Sequence, residues 1–394
     1  MNRSADGIAF PEPARQSNRG TAPRAAYLDG WRGLAIIMVL AAHFGSAYFG
    51  RLYVLGGFGV DLFFVLSGRL MASILFVSRH PLPDFFRRRV ARIFPALAVF
   101  TAAMALFSFI SLALRGAPVI ETWEYLTAVT FTMNYVPAVS GGSSLALGHI
   151  WSLSVEEHCY VALALIAFLL SRQIGPAKWV LTLAGIAGLL NGARLWAIGA
   201  GGAHAIYWRS DVRLAPIFLS AALFLWLRDA ELGEGKLARV LGWLPVPCTV
   251  LTAVLFFVAP FPLAYTASAL LLAVSVNMLD LSPAWLLRLL SARVLTAFGL
   301  LSYSIYLWQQ PAYMLSDKIS ALVLIPAAVA LGAASFFLVE RPAQRWINGF
   351  GAGGSASDRT KRPARPLTIA RGRGSYDPPR HRRAGSPGAS VRGA

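Results

Sequence analysis

Charge is scarce in this chain. Only 14% of its 394 residues are Asp, Glu, Lys or Arg, against roughly 25% in an ordinary soluble domain. The apolar set reaches 56%, and a soluble protein of this size has too little core to hide that much apolar surface. A soluble enzyme and a disordered regulator are both excluded. Cysteine is nearly absent. Cys159 and Cys248 are the only two, and both fall in or beside apolar runs. That excludes a secreted disulfide scaffold, suggests no metal site, and leaves two buried, inert thiols. Acidic residues are also few, 18 against 36 Lys and Arg. Residues 1–26 are polar and lack the short apolar core of a signal peptide.

What the chain has instead is long apolar runs, recurring from about Gly33 to Val339. The fold expected is all-α: a polytopic transmembrane helix bundle of about ten spans. They fall at roughly 33–49, 56–78, 93–114, 150–171, 179–199, 212–227, 243–259, 262–280, 295–315 and 319–339. Polar segments flank this domain: an N-terminal tail over 1–26 and a basic tail over 347–394. Both read as disordered and cytoplasmic, leaving a membrane domain over 27–346.

The excess of positive charge has a plainer explanation than nucleic acid, because basic loops stay in the cytoplasm. With the N-terminus inside, Arg79, Arg87, Arg88, Arg89 and Arg92 fall in one inner loop. Arg172 and Lys178, then Arg228, Lys236 and Arg239, then Arg288 and Arg293 fall in the next three. The outer segments hold Arg51, Arg115, Arg209 and Lys318 and little else basic. Both termini are therefore expected in the cytoplasm, and the protein in the inner (plasma) membrane. The longest outer segment, 115–149, carries Trp123, Tyr125 and Tyr135, suited to the interface.

An ionisable group at membrane depth is costly and marks function by default. His43 lies in the first span, eleven residues after Arg32. That spacing is about three turns, so the two share one helical face, ~16 Å apart along the axis. Asp61 lies inside the outer edge of span 2, and Arg69 lies deeper, where it needs a partner or a water-filled cavity. Glu156 and Glu157 open span 4. Ser154-x-x-Glu157 matches a capping box, which accounts for Glu157, whereas Glu156 is available to His43. Arg89 and Arg92, at i and i+3, lie side by side and can fork onto phosphate oxygens, or simply mark the cytoplasmic side. Tyr303 and Gln309 stand in span 9, with Gln309 at about the depth of His43. Arginines thus line one mouth, with the histidine, carboxylates and amide from the midplane outward. The layout suits a phosphorylated donor on one side and an acceptor on the other.

Five segments closely resemble the acyltransferase-3 family. They are Tyr27-Leu-Asp-Gly-Trp-Arg-Gly-Leu-Ala, Gly59-Val-Asp-Leu-Phe-Phe-Val-Leu-Ser-Gly68, Phe86-Arg-Arg-Arg-Val-Ala-Arg-Ile-Phe-Pro95, His149-Ile-Trp-Ser-Leu-Ser-Val-Glu-Glu157 and Leu301-Ser-Tyr-Ser-Ile-Tyr-Leu-Trp308. A closing Val339-Glu-Arg-Pro342 is similar too. The resemblance implies an integral membrane O-acyltransferase that moves acetyl or another small acyl group from acyl-CoA to a hydroxyl of a sugar or glycan. It places the Arg-x10-His motif on Arg32 and His43, the Arg-x-x-Arg motif on Arg89 and Arg92, the Glu pair on Glu156 and Glu157, and the span-2 acid on Asp61. Gln309 stands where the family often has histidine, and Arg69 replaces a usually apolar residue. Some relatives carry an extra hydrolase-like domain. This chain stops soon after span 10, so it is expected to act alone or with a separate protein.

The expected chemistry follows. Arg89, Arg92 and Arg32 hold the phosphates of acyl-CoA, acetyl-CoA first among donors. His43 acts as general base or carries the acyl group as nucleophile. Glu156 or Asp61 orients the imidazole. Glu157, Tyr303, Gln309 and Arg69 contact substrate, and Gln309 or a tyrosine stabilises the oxyanion. No resident cofactor or metal is expected. The partners are the lipid bilayer, acyl-CoA, a saccharide or glycan acceptor and a polysaccharide assembly machinery, with no nucleic acid. The rival readings are a secondary transporter, for which paired broken helices are missing, and an inactive scaffold in a polysaccharide assembly complex.

Overall fold

The computed structural model describes residues 26–136, 146–230 and 235–350, and among these there is helix but no strand. Ten principal helices coincide with the ten expected spans: α1 (Ala26–Phe49), α2 (Val54–Ala72), α3 (Leu82–Arg115), α4 (Trp151–Leu169), α5 (Ile174–Ala197), α6 (Ser210–Asp229), α7 (Pro245–Val258), α8 (Phe261–Met278), α9 (Arg293–Tyr313) and α10 (Ala321–Ser335). Eight helical segments among the described residues are long and apolar enough to cross a membrane. A ninth is α9 taken with the short helix Ala284–Leu290, to which it is bent by 51°. The tenth expected span coincides with α1, 24 residues long, which is not among those segments. The chain is an all-α, multi-pass membrane protein.

Helix ends differ from the apolar runs where local charge pairs let polar residues into the helix. Helix α1 starts at Ala26 rather than residue 33, and Asp29 pairs with Arg32 one turn on, at 3.0 Å. Helix α3 runs 34 residues from Leu82, eleven before the expected span. It opens with proline in its first turn, and Asp84 pairs with Arg87 at 3.1 Å. At 1.5 Å per residue α3 is ~51 Å long, against an apolar bilayer core of ~30 Å, so the arginine run is a helical extension rather than a loop. The expected tails lie outside the described residues, apart from the helix Arg341–Phe350, which carries order past the expected boundary at 346.

Helix α1 packs on α2 and α9, α2 also packs on α6 and α8, and α9 packs on α10. Missing side chains bring these backbones together. A Cβ on Gly299 would stand 1.8 Å from the carbonyl oxygen of Asp29, and one on Gly68 2.0 Å from that of Ile217. Small residues at such crossings are the usual means of close helix approach in lipid. They seat α1 against α9 and α2 against α6. On the outside, Leu106, Phe109 and Leu114 of α3 and Leu165 and Phe168 of α4 are exposed apolar side chains, as lipid contact requires.

Candidate active site

Two adjoining cavities occupy the bundle. The first, of about 90 Å³, is lined by Arg32 of α1, Ser67 of α2, Arg89 and Arg92 of α3, Glu156 of α4 and Tyr303 of α9. The second, of about 480 Å³, is lined by His43, by His149 in the turn before α4, and by Trp151, Trp208, Tyr265 and Tyr313 among others. Val60 and Tyr306 line both, so the cavities are neighbours across these two side chains. The shared face of Arg32 and His43 is thus realised as one helix serving two compartments, three turns apart.

In the arginine cavity the three basic residues expected to hold phosphate come together from two helices. Arg89 is fixed on three sides. Its guanidinium lies over the Tyr160 ring at 3.3 Å, bonds Glu157 at 3.3 Å and touches the Met71 sulfur at 3.6 Å. Its Nε has no partner among the described residues. Glu157 is therefore the counter-ion of Arg89. The capping box expected of it does not form: α4 starts at Trp151, and Ser154 instead donates back to the Ile150 carbonyl at 3.2 Å. One oxygen of Glu156 accepts from both Ser67 and Tyr160. The Tyr303 hydroxyl donates to the Ile93 carbonyl at 2.8 Å, tying α9 to α3.

In the histidine cavity His43 stacks on Tyr313 at 4.7 Å, and its Nδ1 meets Oε1 of Gln309 at 2.5 Å. Nε2 of Gln309 donates to the Tyr306 carbonyl at 3.4 Å, which fixes which end of the amide faces the ring. An amide oxygen only accepts, so Nδ1 carries the proton and Nε2 keeps its lone pair. The group that orients His43 is Gln309, not Glu156 or Asp61, neither of which bonds the imidazole. His204 also lines this cavity and packs on Trp208 at 5.1 Å, where burial pulls its pKa below the usual histidine range.

Four expected site residues line neither cavity: Glu157 and Gln309, which bond the lining residues Arg89 and His43, and Asp61 and Arg69, which stand apart from both. Asp61 is fully buried in an ion pair with Arg213 of α6, and its second oxygen accepts from Ser268 at 2.5 Å. Arg213 is also enclosed by the Tyr265 and Phe64 rings at 4.5 and 5.2 Å. Arg69 finds the partner its depth demands: one terminal nitrogen donates to both oxygens of Asp280 at 2.6 and 2.7 Å, and the other donates to the Val276 carbonyl. Both pairs tie α2 to the helices around it. Arg213 and His149 escaped the sequence reading. The rule that flagged Asp61 applies to Arg213, an ionisable residue just inside an apolar run; His149 sits where a span begins, among residues that suit an interface.

Comparison with known proteins shows the family. The acyltransferase-3 profile, described as "Acyltransferase domain", matches residues 25–339. The peptidoglycan O-acetyltransferase OatA of Listeria monocytogenes is 27% identical over 357 residues, 82% of this chain and 56% of that protein. The O-acetyltransferase OatA of Staphylococcus aureus is 25% identical over 333 residues, 77% of this chain and 53% of that protein. The chain spans about half the length of these curated relatives. No solved structure matches it.

Proposed function

The chain belongs to the acyltransferase-3 family, and from that premise we propose that it moves a small acyl group, acetyl first among them, from cytoplasmic acyl-CoA to a hydroxyl of a saccharide, glycan or lipid-linked glycan at the outer face of the plasma membrane. The names of both relatives favour acetyl as the group, and that of the Listeria protein favours peptidoglycan as the acceptor. The observation that carries the reading is the adjacency of the two cavities: three arginines line one, an imidazole with a bare Nε2 lines the other, and Val60 and Tyr306 belong to both.

The phosphates of the donor bind Arg89, Arg92 and Arg32, where guanidinium forks match phosphate oxygens. The thin thioester arm passes Val60 and Tyr306 into the histidine cavity. Nε2 of His43 takes the proton of the acceptor hydroxyl as that oxygen attacks the thioester carbonyl. The C–S bond then breaks, and the thiolate takes the proton from the imidazolium. Gln309 holds the ring throughout, as the acid of a hydrolase triad does, but without a charge to steady the imidazolium. Glu157 and Tyr160 hold Arg89, and Glu156 holds Tyr160. With the N-terminus in the cytoplasm, the loop charges put the arginine cavity on the cytoplasmic side.

The test is acyl transfer in membrane vesicles given labelled acetyl-CoA on the cytoplasmic side and a β-1,4-linked N-acetylglucosamine trisaccharide on the other. The expected result is label on the trisaccharide. Movement of intact trisaccharide across the membrane without label would instead identify a transporter, and neither event from a folded protein would point to a scaffold.

A further inference from the structure

His149 is a buried polar group whose ring nitrogens have no partner among the described residues. It lies in the turn Gly148–Ile150 that leads into α4, and only 7% of it is exposed. Neither ring nitrogen has a hydrogen-bond partner among the described residues. Such groups are normally paired, by protein or by something bound. The surroundings hold the ring and bury its nitrogens without pairing them. Phe100 packs edge-on at 5.6 Å and the Tyr306 ring lies 5.3 Å away. The Tyr306 hydroxyl is taken up elsewhere, since it donates to the backbone carbonyl of His149 and meets Ser152 at 2.7 Å. The backbone of the turn is thereby pinned to α9, the helix that also supplies Gln309 to His43.

His149 and His43 line the same cavity from different helices. A neutral imidazole presents one N–H donor and one bare acceptor nitrogen. The two nitrogens point to different sides of the ring, so one hydroxyl or amide group of a sugar pairs with one of them, as donor or as acceptor according to the tautomer. The wall beside it is aromatic: Trp151 and Trp208 are stacked at 5.0 Å with their planes 1° apart, suited to the apolar face of a sugar ring.

We propose that His149 is the specificity-determining contact of the acceptor: it binds a polar group of the saccharide next to the reacting hydroxyl, and so fixes which hydroxyl meets Nε2 of His43. The inference rests on the acyl-transfer reading above.

The full-length protein, in vesicles with acetyl-CoA and the β-1,4-linked N-acetylglucosamine trisaccharide, tests it through His149→Phe and His149→Gln. Four quantities are read: apparent KM for the trisaccharide, apparent KM for acetyl-CoA, acetyl-CoA hydrolysis without acceptor, and the position of the product ester by NMR. His149→Phe keeps an aromatic ring but loses both polar contacts. Its trisaccharide KM should rise about tenfold and the ester should spread over more than one hydroxyl, with acetyl-CoA KM and hydrolysis unchanged. His149→Gln retains a donor and an acceptor and should recover most of the loss. Should His149→Phe not accumulate, His149→Leu carries the same measurement. An unchanged trisaccharide KM and a single ester position in the apolar variant would overturn the assignment, as would equal losses in hydrolysis and transfer for both variants. A parent protein that transfers nothing contradicts the acyl-transfer reading itself; a parent that transfers, with variants that match it, contradicts only the role of His149.

Discussion

Breaking the Asp61–Arg213 pair separates a scaffold role for Asp61 from a chemical one. The carboxylate is fully buried, accepts from Arg213 and Ser268, and lines neither cavity. Arg213 is 2% exposed, with aromatic rings on its other sides. Removing either partner strands the other charge, at a cost of about 3–5 kcal/mol, whereas replacing both with apolar residues of similar volume is often nearly neutral. Asp61→Leu and Arg213→Met should therefore each destabilise by about that amount, and the double variant should regain most of it. The assay is thermal unfolding of purified protein in detergent, followed by the monodisperse fraction on gel filtration, for both single variants, the double variant and the parent. Acyl transfer is then measured on the variants that fold. A double variant as unstable as the sum of the singles would refute the ion-pair account. A stable double variant without transfer would show that Asp61 takes part in the chemistry, as the sequence reading expects.

Other outcomes follow from the same geometry. Gln309→Leu removes the acceptor that holds Nδ1 of His43, and transfer should fall on the order of tenfold, the equivalent of one neutral hydrogen bond; Gln309→His, which can still accept there, should retain most activity in the same vesicle assay. Arg89→Lys with Arg92→Lys keeps charge but loses the planar forks, so donor affinity should fall by about 1–3 kcal/mol, read from the acetyl-CoA dependence of the rate; an unchanged dependence would reduce both residues to markers of the cytoplasmic side. Reporter fusions at Asp84 and Ser316 should report the cytoplasm and the outer side respectively, and the reverse result would invert the route proposed for donor and acceptor.

The helices were legible because lipid-facing segments must be apolar over about 20 residues, and this chain writes them as uninterrupted runs. Their ends were less so. Asp29 with Arg32 and Asp84 with Arg87 are polar pairs that continue a helix, but a hydropathy pattern reads them as loop. The polar groups of the candidate site were legible as residues out of place in apolar runs, but their pairings were not. His43, Arg32, Arg89 and Arg92 stand out as charged or polar groups in or beside apolar runs, and three of them do line one cavity. Which carboxylate serves which cation is a tertiary fact. Arg69 meets Asp280 across 211 residues of sequence, Arg213 meets Asp61 across 152, and Arg89 meets Glu157 across 68. No local spacing encodes those choices. The sequence offers Glu156 or Asp61 to His43 through helix position and family resemblance, whereas the bond to the ring comes from Gln309, the residue at the depth of His43.

The central claim is that Nε2 of His43 takes the acceptor proton where the two cavities adjoin, and His43→Ala tests it most directly. Measured in vesicles matched for protein amount and insertion, with saturating acetyl-CoA and trisaccharide, the variant should lose about 10²–10⁴ in transfer rate, while its gel-filtration profile and its affinity for acetyl-CoA, set by the arginine cavity, stay those of the parent. Near-parental transfer from a well-inserted His43→Ala protein would contradict the account and return His43 to a packing role between Gln309 and Tyr313.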